Sequence, residues 1–513
     1  MKNTELVKTN KKENVIKYAH IAIIVLGAIF ISLSIFHSNL WFDESYSVDI
    51  AKHSFSEIWT IGSHDVHPIL YYFILHIVGM ITNYNLIALR MVSLVSLILV
   101  GVLGYTHIRK DFGEKTGILF SFLVFFLPVT AEYAGELRMY SLGMLLGTIL
   151  GIYAFRLYKG KESTKNFIIF GLSSLSVAYT HYYGLMLAGI INLLLFIYYI
   201  KNRKTRGKAL KKFITTAVIQ VALYLPWLFI FLGQLKSVSK GFWITLTFPE
   251  TLIEILNMQF VGTLPSTVGL IFAIAVFLYL IYICIFKIGK QKEKIDMKPA
   301  IISILVYVGI ILVAFGISLC MQSILLYRYL LILTGIFIFG ISYIIAKDDN
   351  KYRVAILCGV ILIVSLFSNI GLINENYDSR NNAFLSYLNQ NVKEDDIILY
   401  SDAISGAVVT TYFGDNQSYF YDKNHWNVEE AYKAYAPSMK IIYSIDDLLK
   451  EYKGRIVLVE GGDSSSLLDE IEEKNNNCNN ISREVFETGY KNNTYTIEII
   501  ELNKIVEENV NEK

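Results

Sequence analysis

Residues 21–49 read IAIIVLGAIFISLSIFHSNLWFDESYSVD, an apolar run followed closely by two adjacent carboxylates, Asp43 and Glu44. The run at residues 21–36 has the character of a membrane-spanning helix, which takes about 20 apolar residues. Ionised groups beside a hydrocarbon slab are costly unless water or a partner compensates them. The stretch therefore predicts a membrane helix, and it raises the question of what an acid pair does at the membrane edge.

Composition extends this prediction to most of the chain. Of the 513 residues, 54% are hydrophobic and 18% are charged, and the apolar residues recur in long runs, as is typical of a polytopic membrane protein. Residues 1–372 carry 33 Lys and Arg against 18 Asp and Glu, whereas residues 373–513 carry 13 against 26. We therefore expect a transmembrane domain at 1–372 and a soluble, acidic domain at 373–513. The four scattered cysteines predict neither a disulfide framework nor a CxxC metal site.

Basic clusters set the expected topology, because cytoplasmic loops collect Lys and Arg. Six such clusters separate the apolar runs, and an even number of crossings must lie between any two cytoplasmic clusters. The segment at 69–81 is too short to span, so we assign it as a re-entrant or interfacial helix in a first external loop, residues 37–85. The N-terminus is then cytoplasmic and the C-terminal domain extracytoplasmic. The eleven predicted crossings are 21–36, 86–108, 117–130, 142–158, 167–180, 185–200, 213–232, 267–286, 300–321, 329–346 and 354–372.

The C-terminal segment alternates helical and strand patterns. Residues 382–391 resemble an amphipathic helix, and the apolar, β-branched runs at 397–402, 455–462 and 495–502 indicate strands. The GGDSSS stretch at 461–466 lacks the Lys of a phosphate-binding loop. We expect a small α/β domain without catalytic spacing of its own.

With this topology the unusual polar residues gather on the external side. They belong to six stretches, namely WFDES (41–45), SHDVHPILYY (63–72), PVTAEYAGELRMYS (128–141), THYYG (180–184), YLPW (224–227) and LLYRYLL (325–331). Sugar transfer from a lipid phosphate matches this mixture. The leaving phosphate needs cations such as Arg138, Arg328 or His67. The attacking hydroxyl needs a general base, which a carboxylate at the water boundary can supply.

The order of these six elements resembles the bacterial members of glycosyltransferase family 39, relatives of the protein O-mannosyltransferases and aminoarabinose transferases. The resemblance covers about residues 20–372, and the C-terminal segment is similar only as an external α/β appendage. It implies the C-type membrane glycosyltransferase fold in a bacterial plasma membrane and a role in glycosylation of the cell envelope.

The resemblance also implies roles for individual residues. Asp43 corresponds to the general base with Glu44 beside it, and Glu136 to a second acid. His67 stands where aminoarabinose transferases have a basic residue that helps bind the donor phosphate, although here it is His in place of Lys. We add Arg138 and Arg328 to the phosphate site. The residues that we expect to contact substrate are His64, Asp65, Tyr71, Tyr140, His181 and Tyr182.

Each of these features also has a plainer interpretation. Asp43 and its neighbours could cap the helix that follows, and the two arginines could be anchors at helix ends. THYYG is typical of an aromatic belt, and YLPW of a helix kink. The histidines around Asp65 could be loop residues or metal ligands, but zinc normally takes three or four ligands. We assign no metal ligand, and a divalent cation stays open as a cofactor.

The predicted function is an inverting transfer of a hexose or pentose from a polyprenyl phosphate to an extracytoplasmic protein, glycan or lipid, with no nucleic-acid partner. A transporter or flippase of lipid-linked sugars is the alternative. It would place charges near the bilayer midplane, whereas the apolar runs between 185 and 372 are nearly free of charge. A membrane-anchored binding protein is a third hypothesis, and it leaves the six stretches unexplained.

Overall fold

The structure, a computed structural model, describes residues 2–239, 244–288, 296–423, 439–474 and 478–502. The described chain is mostly helical up to residue 391 and then folds into a mixed sheet with flanking helices. The helices before the sheet are α1 (Lys2–Ser32), α2 (Phe42–Lys52), α3 (Phe55–His64), α4 (Leu70–Thr82), α5 (Leu86–Leu103), α6 (Arg109–Phe112), α7 (Glu114–Phe126), α8 (Pro128–Ala134), α9 (Tyr140–Tyr158), α10 (Thr164–Ala178), α11 (Tyr182–Lys201), α12 (Arg203–Val238), α13 (Glu250–Asn257), α14 (Ser266–Tyr282), α15 (Lys298–Cys320), α16 (Leu331–Ile345), α17 (Lys351–Asn376) and α18 (Ser379–Asn391).

Nine helices in the described residues are long and apolar enough to cross a membrane. They are Asn14–Ser32, Leu86–Phe112, Tyr140–Tyr158, Tyr182–Lys201, Arg203–Val238, Ser266–Phe286, Lys298–Cys320, Tyr327–Ile345 and Lys351–Asn391. Helices α7 and α8 make a tenth if the pair, bent by 61°, counts as one span. The prediction of a polytopic helical membrane protein is confirmed.

The predicted eleven crossings exceed the nine, or ten with the bent pair, that are long and apolar enough in the described residues. The difference lies at the run 167–180, which falls in α10, a helix of 15 residues, about 22 Å, that is shorter than these nine helices. The run at 117–130 is broken between α7 and α8, because Leu127 precedes Pro128 and adopts an extended backbone. The segment at 69–81 forms α4, which has 13 residues and belongs to the shorter apolar helices.

The chain divides into two compact units. The first unit comprises Met1–Phe36, Val66–Ile74 and Ile87–Leu372, and the second comprises His37–Asp65, Leu75–Leu86 and Ile373–Lys513. Most of the first loop, residues 37–85, thus groups by its contacts with the C-terminal segment, whereas the sequence places it in the domain at 1–372.

Helix α16 forms the core of the first unit. All 15 of its residues are buried, and it packs against α9 and α15. Small residues on α9 permit close helix contact. A Cβ on Gly147, for example, would lie 2.8 Å from the carbonyl oxygen of Ile332. The central position of α16 explains why its sequence is apolar all round.

The second unit contains the predicted α/β domain. Its strands are β1 (Ile397–Tyr400), β2 (Ser418–Tyr421), β3 (Lys440–Ile442), β4 (Arg455–Gly461), β5 (Cys478–Glu487) and β6 (Thr494–Leu502). The sheet order is β3-β2-β1-β4-β6-β5, with the first four strands parallel and the last two antiparallel to their neighbours. Its remaining described helices are α19 (Ala403–Tyr412), α20 (Ile445–Glu451) and α21 (Ser466–Lys474). The three predicted strand runs correspond to β1, β4 and β6.

Candidate functional site

His181 lies in the wall of the candidate site in the first unit. It is the N-cap of α11, and its Nδ1 accepts a hydrogen bond of 3.1 Å from the backbone N–H of Tyr183. In a neutral ring the proton therefore resides on Nε2. The side chain is 3% exposed, and its Nε2 has no hydrogen-bond partner among the described residues. His181 thus offers an unused, buried N–H donor.

The charge state of His181 follows from its surroundings. Burial lowers the pKa of His181 well below its ordinary value, and electrostatic interactions with His67, Arg138 and Arg328 lower it further. The imidazole is therefore neutral at physiological pH. His67, Arg138 and Arg328, the predicted phosphate-binding residues, thus lie within electrostatic range of His181, and the ring centroids of His67 and His181 are 5.8 Å apart.

Aromatic rings surround His181 on several sides. Tyr329 lies at the centre of this aromatic cluster, with ring centroids 4.7 Å from His181, 5.6 Å from Tyr183, 6.3 Å from Tyr140 and 6.4 Å from His67. The five residues come from four separate segments of the chain. Such rings can pack on the apolar faces of a sugar or on a prenyl chain.

A cavity of about 170 Å³ adjoins the aromatic cluster. His67, His181, Tyr183 and Tyr329 contribute to its wall together with aliphatic and aromatic side chains of α11, α12 and α15. Its apolar lining residues include Leu185, Met186, Phe231, Leu235, Val238 and Ile317. The cavity therefore combines a long apolar wall with a buried imidazole donor.

Tyr182 belongs to the same wall and is hydrogen-bonded to two residues of α12, Gln234 and Trp227. The hydroxyl of Tyr182 donates to Oε1 of Gln234 and accepts a 3.3 Å hydrogen bond from Nε1 of Trp227. Trp227 is fully buried and belongs to the YLPW stretch. Pro226 lies inside α12 without interrupting it, and the stretch contributes Trp227, which holds Tyr182 beside the cavity.

The segment between α8 and α9 carries Glu136 and Arg138, which are 5% and 4% exposed. Helix α5 holds its backbone. Nη1 of Arg90 donates to the carbonyl of Gly135 at 2.6 Å, and the Ser93 hydroxyl donates to the carbonyl of Glu136 at 2.7 Å. These bonds fix the position of the backbone that carries the buried carboxylate of Glu136 and the buried guanidinium of Arg138.

Asp43 and Glu44 occupy the first turn of α2 in the second unit. The N-cap is Trp41, whose side chain forms no capping hydrogen bond with the described residues. Neither acid is therefore the N-cap, although both suit the positive end of the helix dipole. Asp43 is half-buried, and Glu44 is fully buried and accepts a 2.8 Å hydrogen bond from the hydroxyl of Tyr490.

The structure thus groups the predicted residues in two places. His181, His67, Tyr140, Arg138 and Arg328 come together in the first unit. Tyr71 lies in α4, with its hydroxyl 3.5 Å from that of Ser93. Glu136 and Tyr182 also belong to the first unit. The other four belong to the second unit, namely Asp43 and Glu44 in α2, and His64 and Asp65 at the end of α3.

Sequence reasoning missed several residues of the first group. Arg90 is fully buried, and the signal for it was a lone arginine within an otherwise apolar run. Tyr329 lies within the LLYRYLL stretch but was not expected at the site, and Gln234 had no local signal. Among the residues that the structure describes, no group of three or more His, Cys, Asp or Glu side chains is arranged to hold a metal ion.

The helical bundle and its C-terminal sheet domain have the C-type membrane glycosyltransferase fold, which confirms the predicted fold. The chain is similar to ArnT from Cupriavidus metallidurans bound to undecaprenyl phosphate, with a TM-score of 0.59, 11% identity, and coverage of 93% of this chain and 97% of that one. It also matches the oligosaccharyltransferase AglB from Archaeoglobus fulgidus, with a TM-score of 0.43, 10% identity, and coverage of 86% and 69%. No family model and no curated protein matches the sequence.

Proposed function

We propose that this protein is an inverting glycosyltransferase that moves a sugar from a polyprenyl phosphate to an acceptor hydroxyl. The observation that carries the proposal is the apolar cavity beside a buried, neutral His181 whose Nε2–H has no partner among the described residues. A lipid phosphate needs both an apolar wall and convergent donors and cations. The ArnT structure contains undecaprenyl phosphate, which makes that lipid the first candidate ligand.

The residues around His181 suit the leaving phosphate. Its Nε2–H can donate to a phosphate oxygen, and the guanidinium groups of Arg138 and Arg328 add positive charge. Such preorganised donors stabilise the negative charge that grows on the phosphate as the glycosidic bond breaks. The aliphatic wall formed by α11 and α12 suits the isoprenoid chain.

The proposed reaction is a single displacement. Asp43 accepts the proton of the acceptor hydroxyl, and the acceptor oxygen forms a bond to the anomeric carbon. The bond from that carbon to the phosphate oxygen breaks on the opposite side, and its electron pair leaves with the polyprenyl phosphate. One general base is sufficient for this route.

Several parts of this proposal rest on sequence patterns. We propose a bacterial plasma membrane, a cytoplasmic N-terminus and an extracytoplasmic C-terminal segment, on the basis of the basic clusters. The sugar is a hexose or pentose, and the acceptor is a protein, a glycan or a lipid.

The decisive experiment measures ligand binding and sugar transfer with the purified full-length protein. We expect undecaprenyl phosphate to bind and undecaprenol, which lacks the phosphate, to bind much more weakly. His181→Asn keeps a helix-capping side chain but removes the ring N–H, so we expect about tenfold weaker binding of undecaprenyl phosphate. Release of undecaprenyl phosphate from synthetic undecaprenyl-phosphate-linked hexoses and pentoses reports transfer.

Two results would contradict the proposal. Equal binding of undecaprenol and undecaprenyl phosphate would mean that the cavity does not recognise a phosphate. Movement of a labelled lipid-linked sugar across a proteoliposome membrane, with no release of undecaprenyl phosphate, would favour the flippase alternative.

A further inference from the structure

Helix α2, which carries Asp43, is held by residues that follow it by several hundred positions. The hydroxyl of Tyr490 donates to Oε2 of Glu44 at 2.8 Å, across 446 positions of sequence. The hydroxyl of Thr411 donates to Oδ2 of Asp49 at 2.5 Å, across 362 positions. Both bonds lie within the second unit, and both are buried.

Lys52, at the C-terminal end of α2, makes the third contact. Nζ of Lys52 donates to Oδ1 of Asp49 at 3.0 Å and to the backbone carbonyl of Thr411 at 3.3 Å. Helix α2 packs along α19, and its polar bonds to the C-terminal segment lie at its first turn, its middle and its last turn.

The segment that leads into α2 is tied to the same part of the chain. Nδ2 of Asn39 donates to the carbonyl of Asn376 at 2.7 Å, and the hydroxyl of Tyr412 donates to the carbonyl of Ser38 at 2.7 Å. The Lys491 ammonium lies 5.6 Å from the centroid of the Trp41 ring.

These bonds are more than surface contacts, because the two carboxylates that they reach are almost inaccessible. Glu44 is fully buried and Asp49 is 2% exposed. A buried carboxylate without hydrogen bonds is strongly destabilising. The hydroxyls of Tyr490 and Thr411 therefore set which face of α2 can be buried, and so the rotation of the helix about its axis.

We infer that the C-terminal segment is a positioning element of the proposed active site, in which Tyr490 and Thr411 orient the helix that presents Asp43. This inference rests on the proposed function. Neither residue is catalytic, because each acts through α2. A small rotation of α2 would move the Asp43 carboxylate away from the acceptor hydroxyl, and misplacement by about 1 Å can cost roughly 100-fold in rate.

The test uses the full-length protein and five conservative variants. Tyr490→Phe and Thr411→Val each remove one hydroxyl that reaches α2. Tyr421→Phe is the matched control for the first, since the Tyr421 hydroxyl donates to Glu470 at 2.7 Å within the same domain. Thr410→Val is the control for the second, since the Thr410 hydroxyl bonds the carbonyl of Gly406 in its own helix at 3.0 Å.

We expect kcat per folded molecule to fall about 10- to 100-fold in Tyr490→Phe and Thr411→Val, with binding of undecaprenyl phosphate unchanged. The two controls should keep the wild-type kcat. Thr411→Ser, which retains the hydroxyl, should restore most of the activity. A purely stabilising role would instead lower the amount of folded protein and leave kcat per folded molecule unchanged.

A second measurement does not depend on sugar transfer. Hydrogen exchange of the α2 amides should be faster in Tyr490→Phe and Thr411→Val than in the two controls. If exchange in α2 matches the controls, the positioning inference is wrong. If wild-type protein transfers no sugar from any synthetic donor, the proposed function fails. An active wild type with a normal kcat in Tyr490→Phe and Thr411→Val would reject the positioning role alone.

Discussion

The surroundings of His181 in the first unit and of α2 in the second unit are built from different ranges of sequence. Around His181 the partners come from residues between 67 and 329, at the ends of apolar helices. Around α2 they come from Thr411, Tyr490 and their neighbours in the C-terminal segment. Truncation of the C-terminal segment would therefore remove the buried partners of the acids and leave those of His181 in place.

The two regions also differ in the pH range in which their buried ionisable groups change charge. In both, burial favours the neutral form, as expected for a group removed from water. It lowers the pKa of His181 well below its ordinary value and raises the pKa of Asp49 to about 6. His181 consequently has one charge state across the physiological range, whereas Asp49 titrates near its acidic edge. We expect pH sensitivity to originate in the second unit and phosphate affinity in the first.

The largest expected effect is that of Asp43→Asn. Asparagine keeps the size of the side chain but cannot accept the acceptor proton, so we expect the transfer rate to fall about 10²–10⁴-fold. Binding of undecaprenyl phosphate should be unchanged, because this change leaves the first unit intact. Steady-state transfer and lipid binding, measured on the same preparation, check both statements.

Glu44→Gln is the matched comparison for Asp43→Asn. Glutamine retains an oxygen that can accept from the Tyr490 hydroxyl, so a smaller loss of rate is expected. A near wild-type rate in Asp43→Asn would transfer the role of base to Glu44 or Glu136.

The next effect belongs to the cations of the first unit. Arg138→Ala and Arg328→Ala should each weaken binding of undecaprenyl phosphate by about one to two decades, since a hydrogen bond to a charged group contributes about 1.5–3 kcal/mol. Arg380→Ala is the control, because this exposed arginine of the second unit pairs with Asp378. Unchanged lipid binding in both variants of the first unit would assign Arg138 and Arg328 to anchoring at helix ends.

The membrane part of the fold was largely predictable, because an apolar run of about 20 residues has few alternatives to a spanning helix. The break at Leu127 was also visible in principle, since a proline follows it directly. The strands β1, β4 and β6 were predictable for the same local reason, as apolar, β-branched runs between turns.

The grouping of the acids with the C-terminal segment had no such signal. The bond between Tyr490 and Glu44 joins residues 446 positions apart, and neither residue differs locally from other tyrosines and glutamates of the chain. The donor role of His181 was equally hidden, because it depends on the Tyr183 amide and on burial. Sequence reasoning identified residue types suited to the chemistry, and the tertiary contacts determine which of them lie together.

A more modest effect is expected for Gly184→Ala in the THYYG stretch. A Cβ on Gly184 would overlap the carbonyl oxygen of Val177, which belongs to α10. The turn that carries His181 would have to shift, at a cost of about 1–3 kcal/mol for overpacking. We expect lower thermal stability and weaker binding of undecaprenyl phosphate. Gly189→Ala is the control, since its Cβ would meet no atom of the described structure within 4 Å.

The smallest expected effect concerns the pH dependence of stability in the second unit. Burial raises the pKa of Asp49 to about 6 from 3.8, and the bonds from Lys52 and Thr411 only partly oppose it. The folded state therefore holds this proton more tightly than the unfolded state does.

The contribution of Asp49 to the free energy of unfolding is then fully present below about pH 4 and is lost as the pH rises through about 6. Asp49→Asn has no such proton, so the Tm of the wild type minus that of Asp49→Asn should decrease between about pH 4 and pH 7. Asp415→Asn, at an exposed position just after α19, is the control and should show no such trend. A difference in Tm that is constant with pH would mean that Asp49 stays ionised in the folded protein, and that the pH sensitivity assigned to the second unit has another source.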